Sequence, residues 1–150
     1  MRKNNISRDS AFVLVRLIVK HRLMKKLLIV DDSAVLLEIM KNILESKGFI
    51  VQTLVNSEHI YSVIKNFKPH LLILDIVLAD EDGRDICKKL KSDFATRDLC
   101  IIVFSASRKF LENYKAYGAD DFIEKPFDIE SLEEKIKSIL GIRAEEKIIS

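Results

Sequence analysis

The sequence lacks several features that common functions require. Its 150 residues include only two cysteines, two prolines and four glycines. Cys87 and Cys100 are too few for a disulfide framework and lack the spacing of a metal site, so we expect reduced thiols in a cytosolic protein. The segment IVDDSAVL (29–36), which follows the first predicted strand, contains no glycine. It matches neither glycine-rich phosphate-binding motif, which argues against nucleotide binding of either kind.

Long hydrophobic runs are also missing. The most apolar N-terminal segment, AFVLVRLIV (11–19), has nine residues and contains Arg16, whereas a membrane-spanning helix needs about 20 apolar residues. The net charge of +2 is unevenly placed: residues 1–24 hold six basic residues and one acid, a net +5, which leaves −3 on the remainder. A mildly acidic domain offers no groove for nucleic acid, so we expect no direct nucleic-acid binding.

From Lys25 onward, two patterns alternate along the chain. Short aliphatic or aromatic runs of strand length are separated by segments in which apolar residues recur every three or four positions. The predicted strands are KLLIV (26–30), FIVQTLV (49–55), LLILD (71–75), CIIVFS (100–105) and DFIEK (121–125). Gly48, Gly118 and Gly141 mark predicted helix ends, and a further predicted helix spans 129–140 after Asp128 as N-cap. Five strands alternating with five helices predict a doubly wound α/β fold with a parallel sheet.

Polar residues stand at the carboxyl ends of these strands, where open α/β sheets carry their functional groups. Asp31 and Asp32 follow the first strand, and Asp75, Ser105 and Lys125 end the third, fourth and fifth. Converging carboxylates raise one another's pKa unless a cation neutralises them. An all-oxygen, hydrated site suits Mg²⁺ or Mn²⁺, and the neighbouring hydroxyl and ammonium complete a cradle for a phosphoryl group.

Taken singly, these residues have simpler structural interpretations. An Asp after a strand is usually a helix N-cap, a Ser there is usually a turn or cap residue, and a Lys is usually solvated. Only one of Asp31 and Asp32 can occupy a cap, however. Asp75 ends an aliphatic run typical of a strand buried on both faces, where an unused charge is costly. The joint placement therefore favours a functional site.

Four segments, LLIVDDS, LLILDIVLADEDG, FSAS and GADDFIEKPFD, together resemble the signature segments of a response-regulator receiver domain, the phosphoacceptor module of two-component signalling. The resemblance covers Lys25 to about Leu140. It implies a flavodoxin-like sheet in the strand order 2-1-3-4-5 and a stand-alone receiver similar to chemotaxis regulators. We expect an N-terminal extension at 1–24, the receiver domain at 25–141 and a short tail at 142–150.

The resemblance also implies a role for each site residue. Asp75 is the phosphoacceptor, which takes a phosphoryl group from a sensor histidine kinase or a histidine phosphotransfer protein. Asp31, Asp32 and Asp75 bind Mg²⁺ together with the backbone carbonyl of Val77, and Lys125 pairs with the phosphoryl oxygens. Such a module assists its own phosphorylation and dephosphorylation in the cytoplasm and is not a turnover enzyme.

A switch is implied by the same resemblance. Ser105 matches the hydroxyl residue that bonds the new phosphoryl group, and Phe122 matches the aromatic residue that rotates behind it. The surface that switches comprises the fourth of the five predicted helices, which ends at Gly118, the fifth strand, and the fifth predicted helix, at 129–140. The peptide bond before Pro126 is expected to be cis, as is usual in the family. Phe122 lacks the phenol hydroxyl of many relatives and has a second interpretation as an ordinary core aromatic.

The sequence departs from the family pattern in the loop after Asp75. Leu78-Ala79 stands where Met-Pro is usual, which leaves the loop less restrained. Val77 cannot orient a hydrolytic water, so we expect slow self-dephosphorylation. An aspartyl-phosphate enzyme of the haloacid-dehalogenase type is disfavoured, because that class needs an acid at the position of Val77. A pseudo-receiver that binds partners without phosphorylation is the remaining alternative, although every signature position is filled.

The two ends of the chain leave several interpretations open. Residues 1–24 are an overextended reading frame before Met24, a segment docked on the domain or on a partner, or a helix on an anionic membrane. The residues after Gly141 are too few for an output domain. The protein is then a stand-alone receiver or a phosphorelay intermediate, or its output lies in a longer protein.

Overall fold

The five predicted strand segments form one parallel sheet in the computed structural model, which describes residues 8–22 and 24–142. Strands β1 to β5 are Lys26–Val30, Ile50–Leu54, Leu71–Asp75, Cys100–Ser105 and Asp121–Glu124. Their order across the sheet is β2-β1-β3-β4-β5, and every neighbouring pair runs parallel. The predicted flavodoxin-like α/β fold is confirmed.

Helices connect the strands and cover both faces of the sheet. Within the described residues, α1 to α6 are Arg8–Arg22, Ala34–Ser46, Ile60–Phe67, Gly83–Ser92, Arg108–Leu111 and Ile129–Leu140, and a 3-10 helix spans Tyr114–Tyr117. The side chains of residues 8–17 in α1 are exposed, so the sheet domain does not cover this part of the N-terminal segment. None of the helices in the described ranges has the length and apolar content needed to cross a bilayer.

Alternate side chains of each strand point to opposite faces, and both faces are packed. Leu27 and Ile29 of β1 join the core beneath α2 and α6, whereas Leu28 and Val30 join the core beneath α3, α4 and α5. The four aliphatic residues of β3 are fully buried. This two-sided burial explains why the central strands are continuous aliphatic runs.

The first helix of the sheet domain, α2, is capped by Ser33. The Ser33 hydroxyl accepts a hydrogen bond from the Leu36 amide at 3.3 Å, and Ser33 has the extended backbone of an N-cap. Neither Asp31 nor Asp32 occupies the cap position. The simple interpretation of these two residues as N-caps is therefore wrong; Asp31 Oδ1 instead accepts from the Ser33 amide at 2.7 Å, and both carboxylates stand at the sheet edge.

The helix predicted to end at Gly118 is interrupted. It consists of α5 and the 3-10 helix, which are separated at residues 112–113. The Tyr117 hydroxyl donates to the Phe110 carbonyl at 2.8 Å. In a continuous α-helix this carbonyl would accept from the Tyr114 amide. The aromatic side chain satisfies the carbonyl instead, which is why helical spacing in the sequence did not produce one helix.

Gly83 allows α4 to begin directly against the end of β3. A Cβ atom at this position would lie 2.1 Å from the Asp75 carbonyl oxygen and 2.7 Å from the Ile76 Cα. The Gly83 amide donates to the Ile76 carbonyl at 2.8 Å. Only a hydrogen atom fits in this space, so the residue that follows the acidic loop has to be glycine for steric reasons.

We predict that Gly83→Ala destabilises the fold by about 3 kcal/mol or more, because backbone atoms have to move to admit the methyl group. Gly48→Ala is the matched control. Gly48 has φ +95°, and a Cβ atom there would have no other atom within 4 Å, so alanine costs only conformational strain of about 1 kcal/mol. Urea unfolding of both variants measures the difference, and equal losses would contradict the steric argument.

Candidate functional site

Three carboxylates meet at the carboxyl ends of β1 and β3, which are neighbouring strands. Oxygen atoms of Asp31, Asp32 and Asp75 all lie within 4.8 Å of one another. Asp31 and Asp75 are buried, with 1% and 5% of their surface exposed, whereas Asp32 is exposed. The cluster is therefore open to solvent on the Asp32 side and enclosed by protein on the other.

Lys125 reaches this cluster from the end of β5. Its Nζ atom donates to Asp31 Oδ2 at 2.7 Å and to Asp75 Oδ2 at 3.0 Å. The ammonium also lies 4.3 Å from the ring centroid of Phe104, on the intervening strand β4. The Lys125–Pro126 peptide bond is cis, as expected. Lys125 is thus an internal counter-ion and not a solvated surface lysine.

The charges of the cluster influence one another. Burial raises the pKa of Asp75 above its ordinary value, although hydrogen bonds from Lys125 and the Val77 amide act in the opposite direction; the nearby charge of Asp31 adds to the rise. Burial alone would lower the pKa of Lys125, but hydrogen bonds and charges from both buried carboxylates raise it. Three carboxylates facing one ammonium leave an excess of negative charge, which a hard divalent cation would neutralise.

Two further predicted residues adjoin the cluster. Ser105 is fully buried at the end of β4, where its hydroxyl accepts from the Ser107 amide at 3.1 Å and its carbonyl accepts from the Lys125 amide at 2.9 Å. Val77 is 55% exposed, and its amide donates to Asp75 Oδ1 at 3.0 Å. Both residues are therefore joined by hydrogen bonds to the strand ends that carry the charged groups.

Phe122, the predicted switch residue, lies on β5 and is partly buried. Its ring packs against that of Tyr114 with centroids 5.0 Å apart, and the Lys135 ammonium lies 5.2 Å from the Phe122 ring centroid. These contacts place Phe122 between the 3-10 helix and α6. Its surroundings are those of a half-buried surface aromatic, which is compatible with either interpretation of this residue.

A hydrogen-bonded bridge beside the cluster was not predicted from the sequence. The Ser57 hydroxyl, in the loop after β2, donates to the carboxylate of Glu81, in the loop after β3. Lys89 of α4 donates to the other oxygen of Glu81 at 2.9 Å. Ser57 and Glu81 are 24 residues apart, so no local pattern could have paired them; only the order of the strands brings their loops together.

Comparison with known proteins identifies the family. The family model for the response regulator receiver domain matches residues 27–137. Because this match covers well over half of the chain, the protein belongs to the response regulator receiver domain family. Receiver domains are signalling modules of two-component systems and not turnover enzymes.

Curated relatives share this region. The phosphate regulon transcriptional regulatory protein PhoB of Pseudomonas aeruginosa is 35% identical over 120 residues, which cover 77% of this chain and 52% of PhoB. The DNA-binding dual master transcriptional regulator RpaA of a Synechocystis species is 29% identical over 119 residues, which cover 78% of this chain and 49% of RpaA. The chain thus spans about half the length of these relatives.

Solved structures agree with the fold. A two-component response regulator from Clostridium difficile has a TM-score of 0.70 and 30% identity, with 77% of this chain and 95% of that one covered. The response regulator TrrA from Thermotoga maritima, in complex with Mg²⁺-BeF, has a TM-score of 0.70 and 27% identity, with 77% and 99% covered. Both cover the sheet domain nearly in full.

We predict that Asp75→Asn stabilises the metal-free protein at neutral pH, because it removes a charge that burial and the neighbouring Asp31 disfavour. The pKa of Asp75 is raised by folding, so its ionised form weakens the folded state. Below the ordinary Asp value of 3.8 the carboxyl is protonated in both folded and unfolded states, and the gain disappears. Urea unfolding in EDTA at several pH values tests this; a gain that persists at low pH would contradict it.

Lys125→Met should change the folding stability in the opposite direction. It leaves Asp31 and Asp75 without their shared cation, which costs about 3 kcal/mol or more. Because the excess negative charge then increases, added Mg²⁺ restores stability more strongly in this variant than in the wild type. A stability loss that Mg²⁺ does not relieve would contradict the charge argument.

Proposed function

We propose that this protein is a phosphorylatable receiver in which Asp75 accepts a phosphoryl group from a histidine kinase or a histidine phosphotransfer protein in a Mg²⁺-dependent reaction. The observation that carries the proposal is the shared contact of Lys125 with Asp31 and Asp75, beside the solvent-facing Asp32. A structural ion pair needs one carboxylate. Three clustered carboxylates, two of them bonded to one ammonium, suit phosphoryl transfer in a receiver domain better.

The reaction assigned to Asp75 is a displacement at phosphorus. A carboxylate oxygen forms a bond to the phosphorus atom while the bond from phosphorus to the donor's imidazole nitrogen breaks, and the bonding electrons leave with that nitrogen. Lys125 already lies 3.0 Å from Asp75 Oδ2, so its ammonium is in place to neutralise the phosphoryl oxygens. Positioning and charge neutralisation provide most of the catalysis in such transfers.

The residues present fit a magnesium site. Asp31, Asp32, Asp75 and the backbone carbonyl of Val77 offer hard oxygen ligands, and the exposed Asp32 leaves room for water ligands. Mn²⁺ suits the same set. A bound divalent cation would supply charge neutralisation at the phosphoryl oxygens. A relative of known structure carries Mg²⁺-BeF, which supports this assignment.

Ser105 and Phe122 form the proposed switch. The buried Ser105 hydroxyl stands at the end of β4, between Asp75 and Lys125 in the strand order. Movement of this residue towards a phosphoryl group would affect β5, because its carbonyl accepts from the Lys125 amide. Phe122 and its neighbours on α5, the 3-10 helix and α6 would then change the surface presented to an output partner. We place this signalling in the cytoplasm.

Incubation with acetyl phosphate tests the proposal. We expect one phosphoryl adduct by intact mass in the presence of Mg²⁺, none in EDTA, and none in Asp75→Asn. Glu45→Gln, which removes a remote carboxylate on α2, is the matched control and should be phosphorylated normally. No adduct under any condition would contradict the proposal and favour a pseudo-receiver, whereas continuous release of phosphate would indicate an aspartyl-phosphate enzyme.

We also predict a phosphorylated lifetime longer than minutes. Val77 stands beside the acceptor, is 55% exposed and has no polar group to orient an attacking water. Val77→Asn supplies such a group and should shorten the lifetime. Loss of the adduct is followed by intact mass after the donor is removed. Decay of the wild type within seconds would show that Val77 does not limit hydrolysis.

A further inference from the structure

The carboxyl end of β1, with Asp31 and Asp32, lies between the loops that follow β2 and β3, because the strand order is β2-β1-β3. The helices that begin after these loops, α3 and α4, cover the same face of the sheet. The Ser57 hydroxyl, in the loop after β2, donates to Glu81, in the loop after β3, and Lys89 donates to the second oxygen of Glu81. A side-chain bridge therefore joins the two loops beside the end of β1.

Glu81 belongs to a short closed loop. Val77 and Asp82 pair in an isolated antiparallel bridge, and the Gly83 amide donates to the Ile76 carbonyl at 2.8 Å. These contacts tie the base of the loop to the end of β3, but none of them ties it to the loop after β2. The outer part of the loop after β3 has no such backbone ladder and carries Glu81 immediately before Asp82.

The bridge is built from a charged acceptor. The hydrogen bond from Ser57 and then that from Lys89 lower the pKa of Glu81, so its carboxylate is ionised at neutral pH. Hydrogen bonds to an ionised acceptor are stronger than neutral ones. The Glu81 side chain is only one-third exposed, which reduces screening by solvent. Ala79 gives the loop no covalent restraint of the kind that proline would provide, so the bridge restrains it instead.

We propose that Glu81 is a positioning residue of the metal site. Its bond to Ser57 holds the loop after β3 against the loop after β2, and so fixes the backbone at Val77 relative to Asp31 and Asp32. This inference rests on the proposed function, in which those groups bind Mg²⁺. Glu81 does not itself touch the metal or the phosphoryl group and acts through the loop.

The first test needs no metal. Hydrogen exchange of the Val77 and Gly83 amides is measured by NMR in EDTA for the wild type, Ser57→Ala and Glu81→Ala. We expect exchange at both amides to become roughly tenfold faster in each variant, because one restraining hydrogen bond is lost. The amides of Leu72 and Ile73 in β3 should not change. Unchanged exchange at Val77 and Gly83 would overturn the inference.

The second test titrates Mg²⁺ alone and follows the amide shifts near Asp32. Ser57→Ala and Glu81→Ala should weaken the affinity roughly tenfold, as expected for supporting residues outside the ligand set. Glu81→Gln should lie between the wild type and Glu81→Ala, because its amide can still donate to Ser57 and accept from Lys89 but forms weaker, neutral hydrogen bonds. Glu45→Gln, which removes the charge of the remote pair with Lys41, should have no effect.

These variants separate positioning from simple charge. If Glu81→Gln weakens binding as much as Glu81→Ala while Ser57→Ala has no effect, long-range charge is responsible and the positioning role is wrong. If the wild type takes up no Mg²⁺, the metal role fails together with the proposed function. If wild type and variants bind Mg²⁺ equally, only the role of Glu81 is contradicted.

Discussion

The hydrogen bonds of Lys125 to Asp31 and Asp75 are the interaction on which the site depends. They join the ends of three strands, β1, β3 and β5, whose residues are up to 94 positions apart in the sequence. Buried charges are costly unless they are paired, and here one ammonium serves two buried carboxylates. The remaining negative charge is an energetic cost for the fold and, at the same time, the feature that makes the site attractive to a divalent cation.

The rest of the structure holds this charged group in place. Both faces of the sheet are packed with aliphatic side chains, which makes β1 and β3 rigid supports for their terminal carboxylates. Gly83 brings α4 close behind Asp75. Ser33 caps α2, so neither aspartate after β1 serves as the cap. The loop that carries Val77 is the less regular part, and the bridge between Ser57 and Glu81 restrains it.

Membership of the receiver family and the geometry of the cluster support each other. The family model covers residues 27–137, from β1 into α6, and the clustered carboxylates lie at the strand ends where the resemblance expects them. Regulators such as PhoB and RpaA extend to about twice the matched length. What this chain shares with them is the receiver region.

The sequence by itself determined the strands, the helix that ends before Gly48 and the identity of the charged residues, because burial on both faces imposes continuous aliphatic runs and the strand ends follow directly from them. It also predicted the helix that ends at Gly141. The break between α5 and the 3-10 helix was missed, since a tyrosine hydroxyl replaces a backbone donor there. Only the tertiary structure decided three further features: Ser33 as the cap of α2, the steric need for Gly83, and the pairing of Ser57 with Glu81. These features depend on which loops and strands become neighbours in space.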